Sequence, residues 1–148
     1  LGPDALDPTP IQLELLANRA WETAAASDAT LRIDEDLGTV LADEATLTQL
    51  LENLFANAVE HGSPSDGELV VRAGRLGDDG FYVADNGPGI STDEQTEIFE
   101  RGYSTQSDGT GFGLSIVERI VDAHDATVTV TDSADGGARF EIRGLPIQ

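Results

Sequence analysis

The sequence predicts a two-layer α/β (α+β) sandwich, with a mixed, mostly antiparallel sheet covered on one face by about three helices. Three observations carry this expectation. Long segments place apolar residues at helical spacing, short segments alternate apolar and polar residues like strands, and the two kinds mix without steady βαβ alternation.

Residues 1–10 hold three prolines and read as an irregular lead-in from an upstream linker, with residues 11–148 forming one domain. From Ile11 to about Ala26, Leu13, Leu16, Ala20, Trp21 and Ala24 recur at helical spacing, and Trp21 reads as a core anchor. Thr30 to Asp34 alternates like a strand. Thr39 to Ala42 follows Gly38 and is expected to pair with it as a hairpin. Asp43 is a natural N-cap for a helix running to His61 and stopping at Gly62. In it Leu47, Leu50, Leu51, Leu54, Phe55 and Ala58 mark one buried face. Two strands are expected at Glu68 to Arg75 and Gly80 to Ala84, then a short helix from Asp93 to Glu100. A last helix is expected from Gly111 to His124, with Leu114, Val117, Ile120 and Val121 on one side. Thr127 to Thr131 and Ala138 to Ile142 then form a closing antiparallel pair around Gly136 and Gly137.

The chain has 148 residues, enough for one domain with a real core. It lacks Cys, which excludes disulfides and thiolate metal sites and fits a cytoplasmic setting. No run of about 18 apolar residues exists to cross a membrane, and no signal peptide is visible. The first residue is not Met, so the chain reads as part of a longer protein. All eight basic residues are Arg, against 28 acids, for a net charge of −20. That charge repels phosphate backbones and anionic lipid, so neither nucleic acid nor a membrane surface is an expected partner. The 39% hydrophobic content argues for a folded domain. The acid excess without Lys points to a halophilic, archaeal source, an ordinary acidic protein being the alternative.

Three motifs carry chemistry. In Glu52-Asn53-Leu54-Phe55-Ala56-Asn57-Ala58-Val59-Glu60-His61-Gly62, positions 53, 57, 60 and 61 share a helical strip beside the apolar face. Asn is a poor helix former, and its carbonyl oxygen is a hard neutral ligand suited to Mg²⁺. Two solvated Asn on an exposed helix edge are the plain alternative. In Asp85-Asn86-Gly87-Pro88-Gly89-Ile90, a carboxylate at a strand end can accept a hydrogen bond from the exocyclic amine of adenine. The glycines after it let backbone approach a flat base. A polar turn is the alternative. In Gly109-Thr110-Gly111-Phe112-Gly113-Leu114, free N–H groups open an amphipathic helix and suit phosphate oxygens.

Mg²⁺ and Arg101 are the candidates for neutralising triphosphate charge. The segment Ile98 to Asp108, with Phe99, Arg101, Tyr103, Ser104 and Thr105, is either a lid that orders over nucleotide or a plain surface loop.

The ordered set resembles the ATP-binding catalytic domain of sensor histidine kinases, in the superfamily shared with gyrase and MutL. The resemblance spans about Leu13 to Pro146. Asn53 through His61 is similar to that family's N box, Asp85 through Ile90 to its first glycine box, Ile98 through Arg101 to its F box, and Gly109 through Leu114 to its second glycine box. The resemblance implies a Bergerat-type fold that binds ATP and Mg²⁺. Asn57 would hold the metal and Asp85 the adenine amine, while Gly111 and Gly113 would let the chain wrap the phosphates. It further implies transfer of the γ-phosphate to a His on a separate dimerisation domain of the same full-length protein, then to a response regulator.

Four positions depart from the family pattern. Glu60 stands where a Lys is frequent, and His61 where an aromatic is common, so His61 is either a base-stacking ring or a plain helix-end residue. Asn53 occupies the position of the hydrolytic Glu of self-contained ATPases, which favours a kinase. Ala138 replaces a frequent Thr. The only histidines are His61 and His124, neither in a phosphoacceptor pattern, so autophosphorylation by this piece alone is not expected. A serine kinase of the anti-sigma type and a non-catalytic ATP-sensing module are the alternative functions.

Overall fold

The computed structural model describes residues 7–24, 29–34, 36–61, 68–87, 114–132 and 136–147; the side chains of Glu60, His61, Leu114 and Ser115 lie outside that description. Seven strands and three helices appear among these residues, in the order β1 (Pro8–Gln12), α1 (Leu13–Ala24), β2 (Thr30–Ile33), β3 (Thr39–Asp43), α2 (Glu44–His61), β4 (Val70–Arg75), β5 (Gly80–Asp85), α3 (Leu114–Ala123), β6 (Thr127–Asp132) and β7 (Ala138–Arg143).

The main sheet has five strands in the order β2-β4-β5-β7-β6, and β1 and β3 form a separate two-stranded sheet. The β2–β4 pair is parallel and every other pair is antiparallel. Alternation along the strands separates two faces. Val71, Ala73, Phe81, Val83, Phe140 and Ile142 join Leu16, Leu54 and Val117 of the helices in one core. Arg72, Tyr82, Arg139 and Glu141 occupy the intervening positions, on the opposite face. The predicted two-layer sandwich is the observed one.

Helix α2 fills the centre of the core. Its predicted apolar face, Leu47, Leu50, Leu51, Leu54, Phe55 and Ala58, is buried throughout. Phe55 meets Trp21 of α1 edge to face, with centroids 5.3 Å apart. Asp43 is the N-cap, its Oδ1 accepting the Thr46 N–H at 2.9 Å. Asp43 Oδ2 also accepts the Asp7 N–H, which holds the chain entering β1. Those backbone hydrogen bonds, Thr46 foremost, hold the Asp43 carboxyl below its ordinary range despite some desolvation.

Three local expectations fail. β2 and β3 do not form a hairpin; β2 pairs with β4 in parallel and β3 with β1. Parallel pairing needs a crossover, and α2 lies between β2 and β4 in the chain. The irregular lead-in ends earlier than expected, because residues 8–10 belong to β1. Pro8 and Pro10, two apart on a strand with a single partner, fall on the same side of the ladder, where a missing N–H does least harm. Ile11 is consequently a strand residue, and α1 starts at Leu13. The expected helix from Asp93 to Glu100 and the first turn expected from Gly111 lie outside the described residues.

On the outer face, the Tyr82 ring lies flat over Gly74, where a Cβ would come within 2.5 Å of the phenol oxygen. The Tyr82 hydroxyl reaches past β4 and donates to Asp34 Oδ2 at 2.5 Å.

Candidate functional site

Among the described residues, Asn57 and Asp85 are the only buried polar or charged side chains, at 4% and 6% exposure. Burying such groups is costly unless they are satisfied or reserved for a partner. Both were singled out in the sequence, one as metal ligand and one as adenine acceptor.

Asp85 is the last residue of β5, the middle strand of the sheet, and shares the helix-facing side with Phe81 and Val83. Its Oδ1 accepts N–H groups from Gly87 at 2.9 Å and Ala138 at 3.3 Å. Oδ1 is thus fixed by the protein, and among the described residues no hydrogen bond falls on Oδ2. Burial pushes the carboxyl above its ordinary range, and the two N–H donors act against that shift. An incoming amine donor would remove part of the desolvation cost. Gly137 shapes this corner: a Cβ there would stand 2.1 Å from Asp85 Oδ1 and 2.3 Å from its carbonyl oxygen.

Asn86 turns out to be structural. Its side-chain amide stands in for a peptide group, accepting from the Val70 N–H at 2.9 Å and donating to the Glu68 carbonyl at 3.0 Å. That extends the β4–β5 pairing one residue beyond the ladder and anchors the turn that starts at Gly87. The chemistry-bearing position and its support are therefore adjacent in sequence.

On α2, Asn57 Oδ1 and Asn53 Nδ2 are buried atoms with no hydrogen-bond partner among the described residues. An unsatisfied carbonyl oxygen fits a hard divalent cation better than it fits a core. Glu52 points elsewhere, lining a hollow between α1 and α2 with Arg19, Glu22 and Thr48. It is thus displaced from the strip carrying Asn53 and Asn57, as helical geometry requires. Glu60 and His61 lie in the last turn of α2, and Leu114 begins α3. Gly89, Ile90, Phe99, Arg101, Tyr103, Ser104, Thr105, Gly109, Thr110, Gly111, Phe112 and Gly113 fall outside the described residues.

His124 has a structural role. Its Nε2 accepts the Asp43 N–H at 3.1 Å, and Nδ1 lies 2.9 Å from the Ile120 carbonyl. Only a donor can face a carbonyl and only an acceptor an N–H, so these two contacts fit the tautomer with a proton on Nδ1. It ties the end of α3 to the start of α2. The roles of Gly137 and the Ala138 N–H in orienting Asp85 were not evident in the sequence; the glycine pair before β7 was the available signal.

The chain matches the model of the histidine kinase-, DNA gyrase B- and HSP90-like ATPases over residues 42–148. It is 35% identical over 134 residues to the sensor histidine kinase ZraS of Salmonella typhi, covering 88% of this chain and 28% of ZraS. It is 40% identical over 113 residues to the sensor protein CiaH of Streptococcus pneumoniae, covering 71% of this chain and 25% of CiaH. The chain thus spans about a quarter of the length of these two relatives. Full-length ShkA, solved in complex with AMPPNP, superposes with a TM-score of 0.76 at 30% identity, over 97% of this chain and 32% of ShkA. With the fold, the buried Asn57 and Asp85 and the family match in agreement, the chain belongs to the histidine kinase-, DNA gyrase B- and HSP90-like ATPase family.

Proposed function

We propose that this chain is the ATP-binding catalytic domain of a two-component sensor histidine kinase, donating the γ-phosphate of ATP to a His on a dimerisation domain of the same full-length protein, with a response regulator as the next acceptor. The observation that carries the reading is the pairing of Asn57 and Asp85 as the two buried polar side chains. ATP binding is the shared property of the family, and AMPPNP, an adenine nucleotide, occupies the related ShkA.

In this reading Asp85 holds the adenine amine through Oδ2 while Gly87 and Ala138 hold Oδ1. Asn57 Oδ1 is the protein ligand of Mg²⁺, which when bound neutralises phosphate charge. Asn53, Glu60, His61, Ile90, Arg101, Tyr103, Ser104, Thr105 and the glycine-rich stretch 109–113 complete the nucleotide site. Phosphoryl transfer draws mainly on positioning and charge neutralisation, which fits a pocket with few candidate bases. Asn53, in place of a hydrolytic Glu, favours transfer over hydrolysis.

Among the described residues no helix is long and apolar enough to cross a membrane, and we assign the domain to the cytoplasm. ZraS and CiaH come from bacteria and lend no support to an archaeal source, so a halophilic origin rests on the net charge of −20 alone.

The test is isothermal calorimetry with ATP, GTP and ADP with and without Mg²⁺, followed by mixing the domain and labelled ATP with a two-helix hairpin bearing the phosphoacceptor His. ATP heat and label on the hairpin histidine are expected. Equal binding of GTP would refute the adenine role of Asp85, and ATP binding without label would favour a sensing module.

A further inference from the structure

Among the described residues, β2 and β6 end the five-stranded sheet, and β1 has a single partner in the two-stranded one. An unpaired strand edge is a template for another strand, and charges, prolines or shortness blunt it. β1 carries Pro8 and Pro10, and β2 is four residues long and carries Arg32. β6 has none of these guards. Residues 127–131 read Thr-Val-Thr-Val-Thr, without charge, proline or glycine, in a chain that is 24% charged.

Only one side of β6 is used. Its residues pair with β7 from Thr127↔Arg143 to Asp132↔Ala138, and in an antiparallel ladder alternate residues turn their N–H and C=O groups outward. Among the described residues nothing pairs with the outward groups of 127–131. Val128 and Val130 are half-buried at the margin of the core, and Thr127, Thr129 and Thr131 are exposed. The segment is also a palindrome about Thr129. A two-fold contact needs a surface that complements itself. Two antiparallel β6 strands with the axis at Thr129 set Thr129 against Thr129, Val128 against Val130 and Thr127 against Thr131. Opposite residues share a face, so valine meets valine at the core margin and threonine meets threonine outside. Asp132 then falls opposite Ala126 rather than another acid. A slip of one residue would set valine against threonine and is disfavoured.

We propose that β6 pairs with the β6 of a second copy of this chain, joining two five-stranded sheets into one across a two-fold axis. The pairing gives the outward backbone groups partners and covers the open margin of Val128 and Val130 in both copies. It works against repulsion between two domains of charge −20, so it should be weak at low salt and strengthen as salt screens that charge. A contact driven by opposite charges would do the reverse. A second copy matches the palindrome by construction, whereas a foreign strand has no reason to.

The experiment uses the 148-residue chain. Sedimentation velocity and amide shifts are followed over a concentration series, from low salt to molar potassium chloride, and again with an added valine–threonine peptide. A dimer that grows with concentration and with salt is expected, with shifts centred on residues 127–131. Thr129→Lys and Thr129→Glu are compared at the lowest salt at which the wild type dimerises. Each places like charges opposite one another at the axis and should weaken association about tenfold. An equimolar mixture of the two should recover it, because Lys then faces Glu, and recovery also requires that both variants fold. A chain that stays monomeric in molar salt, shifts centred elsewhere, association untouched by either substitution, or no recovery in the mixture would each overturn the proposal. A monomer whose β6 amides respond only to the peptide would make the occupant a foreign strand and overturn it as well.

Discussion

Gly137 presses against Asp85 so closely that a methyl group on it would stand 2.1 Å from the carboxylate Oδ1. The start of β7 is thereby moulded around the end of β5, and the carboxylate acquires its orientation from a residue 52 positions downstream in the chain.

Gly137→Ala should therefore damage both fold and site. The obstructing atoms include the Asp85 carbonyl oxygen at 2.3 Å, which cannot swing away as a flexible side chain can. A loss of about 1–3 kcal/mol is expected from denaturant melts, with weaker ATP binding by calorimetry. An unchanged melt would show that the corner yields easily.

Asp85→Asn should separate stability from binding. Its amide oxygen can keep the Gly87 and Ala138 N–H groups, which turns the amide nitrogen toward the base, donor facing donor. ATP affinity should fall about tenfold or more, the scale of a lost charge-assisted bond. Burial raises the Asp85 carboxyl, so the stability it lends is complete below the ordinary carboxylate range and is lost as pH climbs through the raised folded value. The variant cannot ionise, so its melt should gain on the wild type as pH rises above the ordinary carboxylate range. A constant difference across that rise would contradict the buried carboxylate.

Asn57→Ala removes an oxygen that has no hydrogen-bond partner among the described residues, so native stability should change by no more than about 1 kcal/mol. The gain in ATP affinity on adding Mg²⁺ should vanish. Retention of that gain in calorimetry with and without EDTA would move the metal ligand elsewhere.

Asp43→Ala removes the α2 cap and should cost about 1–2 kcal/mol near neutral pH. Hydrogen bonds depress the Asp43 carboxyl, so its contribution is present above the ordinary carboxylate value and disappears as pH falls through the folded one. The gap between variant and wild type should close in acid, as followed by circular dichroism.

With 28 acids, the chain should gain stability as potassium chloride screens self-repulsion. A thermal midpoint indifferent to salt up to molar concentration would remove the case for a halophilic source.

The legible parts of the sequence were those encoded locally. The face of α2 follows from 3.6-residue spacing, and the Asp43 cap follows from side-chain chemistry three residues from its target. β4 with β5 and β6 with β7 are antiparallel neighbours in the chain, so period-two alternation and short connections were enough. Partner choice for β2 and β3 was not legible, because alternation marks a strand without saying what lies beside it. β1 was hidden by prolines that an edge position tolerates. Asn57 and Asp85 were readable from their motifs, whereas the Ala138 N–H on Asp85 was not, because a backbone group contributes no residue type. His124 was legible only as a residue outside a phosphoacceptor pattern, because its bond to the Asp43 backbone spans 81 positions and has no sequence signature.

Tyr82 lying on Gly74 also constrains how the sequence can drift. While the phenol ring occupies that space and is held by Asp34, a side chain at position 74 requires the ring to shift. Once the ring is replaced by something small, the glycine becomes merely a weak point in β4 and a β-branched residue there should be advantageous. The two positions are expected to change together among relatives, aromatic with glycine or small with bulky.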